Sequence, residues 1–270
     1  MNFIYLLLYF FVFLFGLVVG SFLNCVIYRL ETGESFLKGR SHCPYCKHVL
    51  EWKDLIPILS FIILKGKCRY CGKKISFQYP IVELATGILA FLFFKPLILN
   101  PTIFNLQSAI YNFLISCFLI VIFFFDLKHY IIPDKVIYPA IFVSGILYFV
   151  FGIFFNFYPK YELRYTLYAA IGASLFFLFI YLISKGKWLG FGDVKLAILM
   201  GIFLGFPKIL VALFFSFFIG AIIGIGLILT KKKTLKSEVP FAPFLVLGTF
   251  IALFFGEKII SWYLNLFLLK

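Results

Sequence analysis

Charged side chains are scarce in this sequence of 270 residues. Only 13% of the residues are Asp, Glu, Lys or Arg, and only 11 residues are acidic. Ordinary globular domains carry about 25% charged residues. Because 63% of the residues are hydrophobic, folding in water would leave a large apolar surface exposed. The shortage of charge therefore excludes an ordinary soluble protein and predicts a protein that lies in the lipid bilayer.

Two features of other protein classes are also lacking. No Lys or Arg precedes the first apolar run, and no small-residue cleavage site follows it, so we do not expect a cleavable signal peptide. No cationic stretch is interleaved with base-stacking aromatic residues, so the net charge of +14 does not indicate a nucleic-acid partner.

Long apolar runs supply the segments that cross the membrane. A helix needs about 20 apolar residues for this, and eight segments approach that length. They are residues 3–27, 81–99, 104–125, 136–157, 167–184, 194–206, 209–230 and 241–268. The sixth is short, and the last is interrupted by Gly256, Glu257 and Lys258, so it is one kinked span or a span with an amphipathic tail. We predict an all-α polytopic membrane protein with about eight transmembrane helices and a small polar insertion after the first of them.

The distribution of positive charge predicts the orientation. The first cation, Arg29, follows the first span, which places the N-terminus outside. The loops at 28–80, 126–135, 185–195 and 231–240 are then cytoplasmic, and they hold 19 of the 25 Lys and Arg residues. Cytoplasmic loops concentrate these residues. The expected organisation is a first helix at 1–27, a cytoplasmic loop domain at 28–80 and a transmembrane domain at 81–270.

Four of the six cysteines form two CxxC pairs in the large loop, Cys43 with Cys46 and Cys68 with Cys71. Two such pairs can hold one tetrahedral zinc ion, and four thiolates leave no open position for a catalytic water. We therefore predict a structural Zn²⁺ site in a small zinc-ribbon-like insertion. Disulfides and unligated thiols are the alternatives, and a reducing cytoplasm disfavours the first of these.

Two aspartates lie where the apolar segments meet water. Asp126 ends the third span, and Asp193 follows Gly190 and Gly192 at the start of the sixth. A carboxylate at the hydrocarbon boundary is costly and indicates a functional site, although Asp193 could instead be a helix N-cap. Two carboxyls at one membrane face predict an aspartic hydrolase, in which they share a proton. The two glycines would let the backbone approach a substrate closely.

Further motifs place these residues in a wider pattern. Gly-Ser-Phe-Leu-Asn-Cys-Val-Ile-Tyr-Arg-Leu fills positions 20–30, and Val-Pro-Phe-Ala-Pro-Phe fills 239–244, with Ala242 where glycine is commoner. Other matching segments are residues 41–46, 56–60, 66–71, 79–84, 126–134 and 190–193. Together they resemble the type IV prepilin peptidases, which are bifunctional membrane enzymes of the GxGD aspartic protease group.

The resemblance implies two activities at the cytoplasmic face of the bacterial inner membrane. The first is removal of a short basic leader from type IV prepilins or pseudopilins, with Asp126 and Asp193 as the catalytic pair. The second is N-methylation of the exposed residue by S-adenosylmethionine, which the family associates with the cysteine-bearing loop. The family tolerates Asn at the position of Asp134. The oligomeric state and the residues that contact S-adenosylmethionine are not predicted.

Two other classes of protein compete with this interpretation. An ion-coupled transporter would line an ion path with the aspartates, but it predicts acids at the midplane of the bilayer rather than at its edge. A non-catalytic zinc-ribbon scaffold of a secretion system would not need Asp126 or Asp193.

Acidic residues in the large loop are expected partners for the cations of a basic leader. There are four of them, Glu31, Glu34, Glu51 and Asp54. Since the loop itself is strongly basic, we expect recognition to come mainly from the apolar helix of the substrate, packed laterally between spans.

Overall fold

The protein is described by a computed structural model that covers residues 3–35, 39–154, 160–231 and 239–268. These residues contain nine α-helices and no β-strand, which confirms the predicted all-α class. The helices are α1 (Phe3–Thr32), α2 (Leu59–Ile63), α3 (Gln78–Leu99), α4 (Ile103–His129), α5 (Asp134–Phe154), α6 (Lys160–Ser184), α7 (Phe191–Leu204), α8 (Lys208–Leu229) and α9 (Ala242–Leu268).

Seven of these helices, all except α2 and α7, are long and apolar enough to cross a membrane. The predicted sixth span is indeed a helix, but α7 has 14 residues and extends only about 21 Å. The last predicted span is one continuous helix of 27 residues, so its C-terminal half is not a separate tail. The end of the fourth predicted span, at 155–157, and residues 232–238 of the last basic loop lie outside the described residues.

The chain forms two compact units, residues 1–121 and 122–270, with α4 beginning in the first and ending in the second. In the first unit, α1 packs closely against α3. A methyl group on Gly16 would lie 2.6 Å from Cβ of Ala90, and one on Gly20 would lie 2.6 Å from Cα of Glu83. The small residues of α1 therefore allow the two backbones to approach each other, as expected for membrane helices.

In the second unit, the short helix α7 packs against α5, α6, α8 and α9. It meets α6 at Gly201, where an added Cβ would collide with the backbone of Ala170. Leu196, Leu199 and Met200 of α7 have no exposed surface. The surrounding helices thus fix the position of α7 and of the aspartate at its start.

The polar insertion lies between α1 and α3. Its fold rests on a 3-10 turn at Trp52–Asp54, on α2 and on two isolated antiparallel bridges, His42 with Val49 and Lys67 with Lys74. Arg29, which is buried at the end of α1, donates hydrogen bonds to the carbonyls of Ser35 at 2.9 Å and Gly39 at 2.8 Å. This contact ties the start of the insertion to α1.

Candidate functional site

Asp126 and Asp193 lie together in the second unit. Asp126 is in the last turn of α4, and Asp193 is the third residue of α7. Both side chains are buried, and the two carboxyls are close enough to interact electrostatically. The structure therefore brings together two acids that are 67 positions apart in the sequence.

Backbone groups at the starts of two helices hold these carboxyls. Asp193 Oδ2 accepts a hydrogen bond from the N–H of Gly190 at 3.2 Å. Gly190, and not Asp193, occupies the N-cap position of α7. Asp126 accepts a hydrogen bond from the N–H of Ala242, the first residue of α9. Each carboxyl of the pair thus accepts a backbone N–H at the start of a helix, where such donors are otherwise unpaired.

One buried carboxyl oxygen of the Asp126–Asp193 pair is distinguished by its lack of hydrogen bonds in the part of the chain that the structure describes. Among the described residues, Asp126 Oδ2 is buried and has no hydrogen-bond partner. A buried acceptor without a partner costs free energy, and such atoms in native proteins call for an explanation such as catalysis. The arrangement leaves Asp126 Oδ2 ready to accept a proton or a hydrogen bond from a bound molecule.

The two glycines before Asp193 have different surroundings. A Cβ on Gly192 would lie 3.0 Å from Cβ of Ile132, in the segment that joins α4 to α5. A Cβ on Gly190 would meet only atoms of its own turn, with Asp193 Oδ2 at 3.7 Å as the nearest. Gly192 therefore lets the start of α7 pack against the segment that follows Asp126.

Ala242 stood out in the sequence only as a motif position, and its place in the site was not predicted. The motif at 239–244 carries no ionisable side chain, and Ala242 acts through its backbone N–H. The signal available in the sequence was Pro240, which indicates that a helix starts shortly after it. A helix start leaves backbone N–H donors unpaired, and Ala242 supplies one of these. The motif predicted membership of a family but not this contact.

An ionic contact joins α5 to α7 close to Asp193 in the sequence. Lys195 Nζ lies 2.6 Å from Oδ1 of Asp134. The same ammonium lies 4.6 Å from the ring centre of Tyr138 and 5.3 Å from that of Phe191. Asp134 starts α5 and Lys195 follows Asp193 by two residues, so this contact fixes the starts of the two helices relative to each other.

The four paired cysteines converge in the first unit. The Sγ atoms of Cys43, Cys46, Cys68 and Cys71 all lie within 4.8 Å of one another, and those of Cys43 and Cys71 are 3.9 Å apart. A tetrahedral zinc ion with Zn–S bonds of about 2.3 Å requires sulfur atoms about 3.8 Å apart. The four thiols are free of disulfides, and their spacing fits a zinc ion.

One of the expected leader-binding acids, Asp54, has hydrogen-bond partners within the insertion. Asp54 Oδ1 accepts from Arg69 Nε at 2.7 Å, and its Oδ2 accepts from Tyr70 at 3.0 Å and from the Glu51 N–H at 3.2 Å. The Asp54 side chain is only 3% exposed. Contact between Asp54 and leader cations stays a prediction, and it would have to compete with these internal partners.

Two family models match this chain. Residues 14–96 match the bacterial peptidase A24 N-terminal domain, and residues 113–225 match the type IV leader peptidase family. A prepilin leader peptidase/N-methyltransferase of Aeromonas hydrophila is 32% identical over 289 residues, which cover 95% of this chain and 94% of the relative. The chain belongs to the type IV leader peptidase family.

Further members of the family extend the same result. The prepilin leader peptidase/N-methyltransferase of Bacillus subtilis strain 168 is 34% identical over 260 residues, covering 94% of this chain and 97% of that protein. That of Legionella pneumophila is 30% identical, covering 93% of each chain. No solved structure is significantly similar to this chain. The relatives confirm the family predicted from the motifs and support neither the transporter nor the non-catalytic scaffold.

Proposed function

We propose that this chain is a membrane aspartic endopeptidase that removes the leader from type IV prepilins or pseudopilins and then methylates the new N-terminal residue. The observation that carries the proposal is the pairing of two buried carboxyls, Asp126 and Asp193, at the meeting point of α4, α7 and α9. The relatives that carry both activities in their names match nearly the whole chain.

Two adjacent carboxyls suit peptide hydrolysis because they do not readily ionise together and therefore share a proton. The ionised carboxylate takes a proton from water as the water oxygen attacks the scissile carbonyl carbon. The protonated carboxyl donates its proton to the carbonyl oxygen, which gives a tetrahedral diol. When the C–N bond breaks, the first carboxyl passes the proton it took from water to the leaving amine, and a hydroxyl of the diol returns its proton to the second carboxylate as the product carboxyl forms. The N–H groups of Gly190 and Ala242 orient the two side chains for these transfers.

The cysteine cluster has a structural role in this proposal. Cys43, Cys46, Cys68 and Cys71 would hold one Zn²⁺ ion, which stabilises an insertion too small for a substantial apolar core. S-adenosylmethionine is the methyl donor, and no residue is assigned to its binding. We keep the division at residues 27 and 80, in which the loop at 28–80 serves methylation and the helices after it carry the peptidase.

We propose that the site lies at the cytoplasmic face of a bacterial inner membrane. Support comes from the charge pattern, since 19 of 25 Lys and Arg residues fall in the loops on one predicted side. The same reasoning places Asp126 and Asp193 at that side. A cysteine cluster of thiolates also requires a reducing compartment.

The two activities are tested by incubating purified protein with a prepilin and a labelled methyl donor, reading cleavage and methylation separately. We expect wild-type protein to do both and Asp193→Asn to do neither on the uncleaved substrate. Given a prepilin that is already cleaved, Asp193→Asn should still methylate it. Normal cleavage by a folded Asp193→Asn protein would overturn the aspartic mechanism.

Substrate recognition is tested with prepilins in which the leader charge and the apolar helix are altered separately. The insertion is basic, and two of its acids are engaged locally: Glu51 with Lys53 at 2.7 Å, and Asp54 with Arg69. We therefore expect shortening of the apolar helix to reduce cleavage more than neutralising the leader. Strong control by leader charge alone would indicate an acidic leader site instead.

A further inference from the structure

The insertion contains an apolar segment that its own fold does not cover. Residues 55–64 read Leu-Ile-Pro-Ile-Leu-Ser-Phe-Ile-Ile-Leu and include α2. Leu59, Ile62 and Ile63 of α2 are 57%, 63% and 70% exposed. Contiguous apolar surface of this kind marks a site of interaction with a membrane or another protein.

A buried contact ties this segment to a spanning helix. Glu83 Oε2 accepts a hydrogen bond from the N–H of Ile58 at 2.8 Å, and Glu83 is buried in α3. Glu83 lies five residues after the start of α3, which is about 7.5 Å along the helix axis. Helical side chains lean toward the N-terminus, so Ile58 lies near the first or second turn of the span. That level corresponds to the boundary between headgroups and acyl chains.

A ring contact continues the attachment. Phe61 of α2 packs with its ring centre 5.4 Å from that of Phe77, the residue directly before α3. Phe61 also lies under the turn at Gly66, where an added Cβ would be 3.2 Å from the ring. These contacts direct Phe61 inward, toward the protein, while Ile62 and Ile63 remain exposed.

Several polar groups of the segment are hydrogen-bonded within the protein, as a lipid environment requires. Ser60, its one polar side chain, donates to the Ile56 carbonyl at 2.7 Å. The Ile58 N–H is bonded to Glu83, and the N–H groups of Ile62 and Leu64 are bonded to carbonyls within the segment. Ile58 has a positive φ of 61°, an unusual conformation for a β-branched residue. Glu83 thus holds a strained turn and removes the N–H that would otherwise be unpaired in lipid.

From these contacts we infer that residues 55–64 are embedded in the bilayer interface beside the start of α3, so that the insertion is anchored to the membrane at its midpoint. The occupant of the exposed face is lipid, because the segment is continuous with a spanning helix and lies at its level. Exposed Lys65 and Lys67 follow the segment directly, which suits anionic headgroups. The inference does not depend on the catalytic role of either aspartate.

Lipid quenching of a single tryptophan tests the inference in the full-length protein in vesicles. Trp52, Trp188 and Trp262 are replaced by Phe, and Ile62→Trp is compared with Tyr45→Trp, since Tyr45 is exposed in the first cysteine pair. Phosphatidylcholine brominated on the upper acyl chain should quench the tryptophan at 62 about twofold, as expected for burial about 5–10 Å deep. The tryptophan at 45 should be quenched by aqueous iodide instead.

Two results would overturn the inference. Quenching at 62 by iodide and not by brominated lipid would place the segment in water. Shielding from both quenchers would mean that protein covers it, either a second copy of the chain or an apolar helix of the substrate. Should the tryptophan replacements prevent folding, wild-type protein can be photolabelled with a diazirine phospholipid. Adducts are then expected in residues 55–64 and not in 40–50, and their absence from 55–64 would equally contradict the inference.

Discussion

The carboxyl groups of the insertion and of the Asp126–Asp193 site differ in their hydrogen-bond partners. In the insertion, both oxygens of Asp54 accept hydrogen bonds, from one guanidinium, one phenol and one backbone N–H. In the helical unit, Asp126 is buried with Oδ2 unpaired among the described residues. A fully paired carboxylate stabilises its surroundings, whereas a carboxylate with one unpaired oxygen can bond to a substrate through that oxygen. The difference separates a structural acid from a candidate catalytic one by its partners rather than by its burial.

The largest expected effect comes from removing either carboxyl of the Asp126–Asp193 pair. Asp126→Ala and Asp193→Ala should each reduce prepilin cleavage by about a thousandfold or more, because each supplies one half of a shared proton transfer. The double variant should be no slower than either single variant, since residues that act as a unit are not additive. Cleavage rates of the purified variants test this.

Asp134→Asn is the matched control for those variants. The Asn side chain can still accept a hydrogen bond from Lys195, so this variant should retain substantial activity. A loss as large as that of Asp193→Ala would assign Asp134 to the catalytic machinery and would contradict the two-residue site.

The second effect concerns the cysteine cluster of the insertion. Wild-type protein should contain about one zinc per chain, and Cys43→Ser or Cys71→Ser should contain almost none, because a tetrahedral site needs all four thiolates. Elemental analysis of purified protein gives the stoichiometry. We expect these variants to lose methylation more than cleavage.

Cys117→Ser is the corresponding control, since Cys117 is buried in α4 and lies outside the cluster. It should bind zinc normally. Metal-free wild-type protein with full stability and full methylation would rule out the structural zinc ion.

The third effect is a smaller one at the helical site. Lys195→Met removes the contact to Asp134 and should lower the cleavage rate about fivefold, with little change in KM, because it alters orientation rather than binding. Lys195→Arg should restore most of the rate, since a guanidinium can bond to Asp134 and stack on Tyr138. Equal losses in both variants would show that the ion pair does not position α7.

The contrast between the regions also explains what the sequence could predict. The cysteine cluster could be predicted because its ligands are close in the sequence, with two residues between the members of each pair. The aspartates could be predicted because acids are rare at the ends of apolar spans. The contacts of Ala242 with Asp126 and of Lys195 with Asp134 could not be predicted, since they depend on helix packing between residues 116 and 61 positions apart.

The segment at 55–64 shows a second limit. A short apolar run can be a buried helix, a strand or an interfacial segment, and its periodicity does not distinguish them. The sequence therefore assigned it to a polar cytoplasmic loop. The inference that it lies at the membrane rests on its exposed apolar face and on the contacts of Ile58 and Phe61 with the start of α3.

The smallest effect is expected at the fully paired carboxyl. Asp54→Asn keeps an acceptor but loses the charge that holds Arg69 and Tyr70, the two residues between Cys68 and Cys71. Loss of such supporting contacts weakens metal affinity by about 10–100-fold. We expect the lower end, about tenfold, because Asp54 contacts neighbours of the ligands and not the sulfurs. Competition with a zinc chelator measures it, and Glu51→Gln, an exposed acid in the same turn, should leave the affinity unchanged.

The pH dependence of this variant separates Asp54 from the thiolates. Burial acts to raise the pKa of the Asp54 carboxyl, but hydrogen bonds from Arg69, Tyr70 and the Glu51 N–H outweigh it and hold the pKa below its ordinary value. Its contribution is therefore complete above the unfolded pKa of about 3.9 and is lost only as the pH falls through the lowered value. Zinc released at mildly acidic pH must come from protonation of the thiolates. The affinity ratio between wild type and Asp54→Asn should then be the same at neutral and at mildly acidic pH, and a ratio that shrinks on mild acidification would show that Asp54 titrates in that range.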